Sequence, residues 1–232
     1  MKKTMIVMMA IGAIAFQANA QDSKLYIKGG YNLANISVTK DGGIEESNAL
    51  SSFHAGFMAD LPVGEGALSF QPGLLFSGKG AKWQSGSETD QNYIKATTSP
   101  KYIEIPLNLV VNIPLVDKES KFFVGGGGYA AMGIAGKNKT EGKFIGVAFE
   151  SEDKIEFSND DPTTTGTEEN GGLGMMKRFD LGLNGTAGFA FKNVMVSVNY
   201  GHGLTKINSG GNNSSDDKNK NRVWSLSLGL SL

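Results

Sequence analysis

Two histidines, His54 and His202, and no cysteine stand among the 232 residues. A thiol nucleophile and a disulfide framework are therefore excluded. Acyl hydrolysis would need a histidine beside a serine and a carboxylate. His202 has Ser197 and Asn199 near it in sequence but no carboxylate at a matching position, so hydrogen bonding is the role that fits it. Lys28, His54, Glu104 and Asp180 fall on the small, polar side of four alternating stretches. Brought together, they would form either a selectivity or proton-handling constriction or a buried charge network that fills space, and the filling network is the expectation. Acidic runs at Glu150-Ser151-Glu152-Asp153, Asp160-Asp161 and Glu168-Glu169 suggest calcium, yet no window supplies both the Gly and the closing Glu of an EF-hand loop. Gly125 to Gly128 lacks the Lys-Ser/Thr sequel of a phosphate loop and reads as close strand packing. Ser-x-x-Lys occurs three times, at Ser37, Ser151 and Ser215, always in polar sequence, and carries no catalytic meaning. No catalytic residue, metal or cofactor is expected.

The elements that must hold these residues begin after a leader. Lys2 and Lys3 precede an uncharged run from Met5 to Phe16, and Ala18-Asn19-Ala20 follows. These are the three parts of a secretory signal peptide, so cleavage is expected after Ala20, leaving one domain over 21–232. Cleavage removes two lysines, so 22 basic residues fall to 20 against 23 acidic ones, a charge of −3. That balance gives no footprint for nucleic acid. No later apolar run reaches the roughly 18 residues of a spanning helix.

The remaining chain is built of period-two stretches. The closing one is the clearest: Trp224, Leu226, Leu228 and Leu230 alternate with Ser225, Ser227, Gly229 and Ser231. Successive strand side chains point to opposite faces, so this strand has one apolar and one small polar side. Similar stretches start near Lys24, Ser52, Ala67, Lys101, Lys121, Lys177 and Val194. Eight strands result, with long polar connections at about 37–51, 80–100, 136–176 and 208–221 alternating with short links such as Lys192-Asn193. An even strand number with long and short connections in strict alternation is the pattern of a bacterial outer-membrane barrel. The fold class expected is therefore all-β, an eight-stranded antiparallel up-and-down transmembrane β-barrel with long external loops. Only helices and closed barrels satisfy every backbone group in lipid.

Charge and aromatics agree with that orientation. The apolar faces carry almost no charge, as lipid requires, because a basic residue at mid-depth costs roughly 2–4 kcal/mol. Leu226, Leu228 and Leu230 are thus assigned to lipid. Phe53, Phe76, Phe179 and Trp224 fall at one rim and Phe70, Phe189 and Phe191 at the other, as aromatic girdles do.

The stretch Lys24-Leu25-Tyr26-Ile27-Lys28-Gly29-Gly30-Tyr31-Asn32-Leu33-Ala34, the run Tyr102-Ile103-Glu104-Ile105-Pro106-Leu107-Asn108-Leu109, Phe179-Asp180-Leu181-Gly182-Leu183 and the closing alternation resemble the PorT-like outer-membrane β-barrel domain family. The resemblance implies a small barrel of the Gram-negative outer membrane, and for some members a place in secretion or assembly machinery. The function expected is structural or interaction-type, without catalysis. Its partners would be outer-membrane lipid and an envelope or secretion-machinery protein. Three alternatives stand beside it: a narrow passive pore, a lipid-modifying enzyme, and a soluble ligand-binding barrel of the lipocalin kind.

Overall fold

The computed structural model describes residues 23–41, 43, 45, 48–115, 120–158, 175–208 and 218–232. The expected cleavage position after Ala20 lies outside them, as do residues 159–174 and 209–217. The strands in chain order are β1 (Lys24–Ile36), β2 (Leu50–Pro62), β3 (Leu68–Gly78), β4 (Ala81–Ser85), β5 (Tyr93–Pro114), β6 (Ser120–Phe144), β7 (Val147–Lys154), β8 (Glu156–Phe157), β9 (Met175–Met176), β10 (Phe179–Phe191), β11 (Val194–Gly203) and β12 (Asn221–Ser231).

Ten strands form one antiparallel sheet, and β8 and β9 make a small parallel pair. Within the sheet, β1 pairs with β2, β2 with β3, β3 with β5, β5 with β6, β6 with β10, β10 with β11, β11 with β12 and β12 with β1. Each of these eight strands thus has a hydrogen-bonded neighbour on both sides, and the series returns to its start. Beside the eight strands of the ring, four more, β4, β7, β8 and β9, stand among the described residues, because 80–100 and 136–176 are not wholly loop as expected. β4 and the first third of β5 occupy the former, and the end of β6 with β7 occupies the latter. Their sequences mix Lys, Glu and Thr with glycine, alanine and scattered Trp83, Ile94 and Phe149, so no continuous apolar face stands out by alternation. The tip of β6 and β7 is a hairpin that turns at Ile145 and Gly146, both at positive φ. Phe157 pairs in β8 with Met176 and not within that hairpin.

The short links behave as their residues dictate. Lys192-Asn193 joins β10 to β11 with Lys192 at φ 49°, the left-handed geometry a two-residue hairpin turn demands. In β6 the odd positions face inward, with Phe123, Tyr129 and Ala131 buried. A bulge opposite Lys101 and Tyr102 inserts Ile134, since Lys101 pairs with Ala135 and Tyr102 with Gly133. The extra residue reverses the faces of β6 beyond it.

The ring has polar residues inside and apolar residues outside. Lys28, Asn32, His54, Gln71, Asn108, Asp180 and Ser227 are buried. Leu226, by contrast, is 55% exposed, as are Leu228 and Leu230 to nearly the same extent. The interior also holds an aromatic and aliphatic group of Tyr26, Met58, Val110, Phe123 and Met195.

Above the ring, β4, β5, β6 and β7 continue as a projecting blade. From Gly133 to Ile145 the chain climbs roughly 40 Å along the strand at ~3.3 Å per residue. One blade face is a charge ladder: Lys95 bridges Glu141 at 2.8 Å, Lys139 bridges Glu141 at 2.8 Å and Glu150 at 3.1 Å, and Lys137 bridges Glu152 at 2.6 Å. Hydrogen bonds from Lys139 and then Lys95 hold the Glu141 carboxyl down to about 2. A depressed carboxyl pKa stabilises above the ordinary value and loses that contribution as pH falls toward the folded one. The blade's cross-strand support from Glu141 should therefore persist at pH 5 and fade between pH 4.5 and about 2. Carbon-detected NMR of the Glu141 side chain should titrate near pH 2 in the wild type and closer to the ordinary carboxylate value in a Lys95→Gln, Lys139→Gln double variant.

Candidate functional site

The polar interior is assembled strand by strand from inward positions. Lys79, just beyond β3, projects its ammonium between two carboxylates, 2.7 Å from Glu104 of β5 and 3.0 Å from Asp180 of β10. Asp180 is wholly buried. It also accepts hydrogen bonds from Tyr129 at 3.1 Å, Thr205 at 3.0 Å and Asn221 at 2.9 Å. The Lys79 ammonium lies 4.0 Å from the Tyr129 ring centroid and 5.2 Å from that of Tyr102. Gly182 makes room for this packing, since a Cβ there would meet the Tyr129 ring at 2.3 Å.

The four residues singled out from the sequence are thus not one network. Glu104 and Asp180 meet, but through Lys79. Lys28 donates to Asn199 at 3.4 Å and faces the Met58 sulfur at 3.8 Å. His54 has amide and hydroxyl partners: its Nδ1 donates to Asn32 Oδ1 at 2.7 Å, and its Nε2 pairs with the Ser227 hydroxyl at 2.9 Å. Asn32 Oδ1 must be the acceptor, because Asn32 Nδ2 donates to the Gly78 carbonyl at 3.0 Å. Asn199 also donates to Ser227, at 3.0 Å.

Ser227, His54 and Asn32 have the connectivity of a serine–histidine–asparagine relay. Access decides what it can do. All three are buried and line a cavity of about 50 Å³, together with Lys28, Lys79 and Glu104. That space holds a few waters and admits no ester or acyl chain. The arrangement positions the imidazole inside a hydrogen-bonded plug.

At the end of the short turns, Asp60 is buried and accepts from Lys121 at 2.5 Å and from Gln71 at 3.2 Å. This pair lines a wider space of about 710 Å³ with Lys24, Asn112 and Lys192. At the opposite end the interior is capped. Ile155, Met176, Ile207 and Ile36 pack together with Phe157 against them, and Phe157 meets Tyr102 edge-on at 6.0 Å.

On the outside, Phe53 and Phe76 pack at 5.5 Å, and Trp224 packs on Tyr200 at 4.7 Å, with Phe179 exposed nearby in level. Toward the short turns, Phe189 sits between Phe122 at 5.0 Å and Phe191 at 6.0 Å, and Phe70 is half-exposed. His202 lies beside Tyr200, 6.2 Å between ring centroids, away from His54. Glu150 and Glu152 of the acidic runs are paired with lysines; Asp160-Asp161 and Glu168-Glu169 lie outside the described residues.

Lys79, Tyr129, Asn32 and Ser227 escaped sequence reasoning. Parity along β3 held the signal for Lys79: Ser69, Gln71 and Ser77 are buried odd positions, and 79 follows in phase. It stands at the last strand position before the connection at 80–100, and its place in the interior was not weighed.

A family model described as outer membrane protein beta-barrel domain matches residues 18–209 of the chain. No curated protein matches it. Among solved structures, Ail, the attachment invasion locus protein of Yersinia pestis, in complex with the heparin analogue sucrose octasulfate, aligns at 13% identity and TM-score 0.40, covering 91% of this chain and 100% of its own. Neisserial surface protein A aligns at 10% identity and TM-score 0.38 over 91% and 100%. The translocator domain of the autotransporter NalP from Neisseria meningitidis aligns at 9% identity and TM-score 0.25 over 99% and 95%.

Lys79 neutralises two enclosed carboxylates, so removing it alone strands both charges. Lys79→Met should destabilise the fold by about 3–5 kcal/mol. Adding Glu104→Gln and Asp180→Asn should recover most of that loss. Urea unfolding in detergent or lipid, followed by tryptophan fluorescence, measures both.

Proposed function

Because the chain belongs to the outer membrane protein beta-barrel domain family, we propose that it crosses the bacterial outer membrane as an eight-stranded up-and-down barrel and acts there as a structural or interaction protein, without catalysis. Its external blade and loops would meet an envelope or secretion-machinery protein or the medium. The observation that carries this reading is the inverted distribution of polarity. Outward positions of the ring, from Leu25 and Ile27 on β1 through Ile105, Leu107 and Leu109 on β5 to Leu226, Leu228 and Leu230 on β12, are exposed and apolar, while Lys28, His54 and Asp180 are enclosed. Water would expel such a surface; hydrocarbon solvates it. Phe53, Phe76, Phe179 and Trp224 at one level, and Phe70, Phe189 and Phe191 at the other, serve as the two interfacial girdles on this reading. The Tyr102-to-Leu109 run supports a place among PorT-like members of the family, and export through a signal peptide cleaved after Ala20 goes with it.

A narrow pore is the second reading, and the interior argues against it. The Lys79 cluster, the Tyr102 and Tyr129 rings and the apolar cap leave a cavity of about 50 Å³ at mid-lumen.

Two measurements test the proposal. Unboiled protein should migrate differently from boiled protein on a gel, and Leu228→Arg should cost roughly 2–4 kcal/mol in folding from urea into bilayers; equal migration or an indifferent Leu228→Arg would remove the membrane barrel. In planar bilayers the protein should give no steady conductance; ohmic steps would shift the assignment to a pore.

A further inference from the structure

The blade has two unlike faces. Lys95, Glu141 and Glu150 share a row on the outer one, next to Thr97, Lys139 and Glu152. On the inner one, Ile94, Gly142 and Phe149 share a row, Trp83, Ala96 and Thr140 the next, and Phe144 pairs with Val147 at the tip. Ile94, Ala96 and Thr98 have the parity of inward Tyr102 along β5, so this face overlooks the mouth of the ring. Its lower part is covered by the chain itself, where Ala81 and Phe157 pack on the Ile155 and Met176 group. Its upper part is bare: Phe144 is 67% exposed, Val147 71%, and Trp83 and Phe149 nearly half. Beside Trp83 a cavity of about 170 Å³ opens between Ala81, Ala96 and Ile36, with Asn48, Lys82, Thr98 and Asn219 also lining it.

We infer that this upper inner face is a docking site for an extended segment of a protein partner, which seats one apolar side chain in the cavity beside Trp83. The inference rests on the outer-membrane reading, which puts the blade outside the bilayer. Size fits, because a cavity of roughly 150 Å³ takes a benzene-sized group, the bulk of a Leu or Phe side chain. Chemistry fits, because a largely apolar lining with a few polar groups is how peptide anchors are held. The end strands β4 and β7 each pair on one side only, which offers backbone partners to an extended segment at the margin of the same face. Two of the chain's own segments outside the described residues hold little that could cover it. Residues 159–174 hold Leu173 and Pro162 among polar and glycine residues, and 209–217 hold only Ser, Gly, Asn and Asp. A lipid surface fits less well, because Lys82 and the other polar groups of the lining would lose water in hydrocarbon.

The test uses the full chain folded in nanodiscs and a phage-displayed library of random dodecapeptides. Selected peptides should carry apolar residues at alternate positions. They should bind Trp83→Ala and Phe149→Ser at least tenfold more weakly, and Lys95→Gln on the charged face as well as wild type. No enrichment, or peptides indifferent to Trp83→Ala, would overturn the site. So would affinity that emerges only after deletion of 159–174, which makes that segment the occupant. Co-flotation of the nanodiscs with phosphatidylcholine–phosphatidylglycerol vesicles, lost in Phe149→Ser, would reassign the face to lipid. Heat-modifiable migration of every variant reports the barrel separately, so failure of the membrane reading and failure of docking give different results.

Discussion

Backbone hydrogen bonding that leaves no free edge around the ring is the constraint on which the rest depends. The pairing of β5 with β6, from Tyr93 with Lys143 down to Pro114 with Lys121, turns a row of strands into a cycle. Once each ring strand is paired on both sides, the outward side chains are released from any duty to cover polar backbone. They can then be Leu, Ile, Val and Phe throughout, as a hydrocarbon surrounding demands. An open sheet with this outer face would aggregate through its edges. The blade, which does have edges, is the part that carries Lys and Glu on its outer face.

Closure creates a second obligation inside. A ring of eight strands encloses too little space for bulk water and too much for backbone alone, so side chains must fill it. Most of the filling is polar, and polar groups away from water must satisfy one another. The interior therefore divides into local groups: Lys79 with Glu104, Asp180 and Tyr129; His54 with Asn32 and Ser227; Asp60 with Lys121 and Gln71. Within the His54 group and the Lys79–Asp180–Tyr129 cluster, each member comes from a different strand or strand end, so the groups also tie neighbouring and opposite walls together. This is why the histidine is enclosed among amides and has no carboxylate beside it.

Much of the ring was legible in the sequence because period two survives wherever one side is apolar. Leu226, Leu228 and Leu230 needed no structure to be assigned a common face. The blade was less legible, because its apolar side chains Trp83, Ile94 and Phe149 are spread singly among Gly, Ala and Thr positions of the same face. The Ile134 bulge was hidden for a related reason: one inserted residue reverses parity, and only the partner strand reveals it. In the interior, parity brought Glu104 and Asp180 to one side but could not say which cation reached them. That depends on strand order across the ring, where β3 lies next to β5 and β10 lies across it, beyond β6. Strand adjacency is a tertiary fact, and Lys79 is where it matters most.

The blade and the cap stand in a physical relation that the ring alone would not require. Beyond the bulge, the inward face of β6 becomes the inner face of the blade, so the surface that encloses Tyr102 runs unbroken up to Phe149. The chain spends its remaining apolar residues, Ile155, Phe157, Met176 and Ile207, on the lowest part of that surface, where Gly133 and Gly136 let the Phe157 and Ile155 side chains lie against the backbone. Capping there seals the polar lumen from the outside. Nothing in that sealing calls for Trp83, Phe144 or Val147 higher up, and an exposed β-branched Ile145 at φ 50° is an unfavourable choice for a turn that Asn-Gly would make without strain. Residues that a fold neither buries nor needs for its turns are best accounted for by a contact the isolated chain does not make.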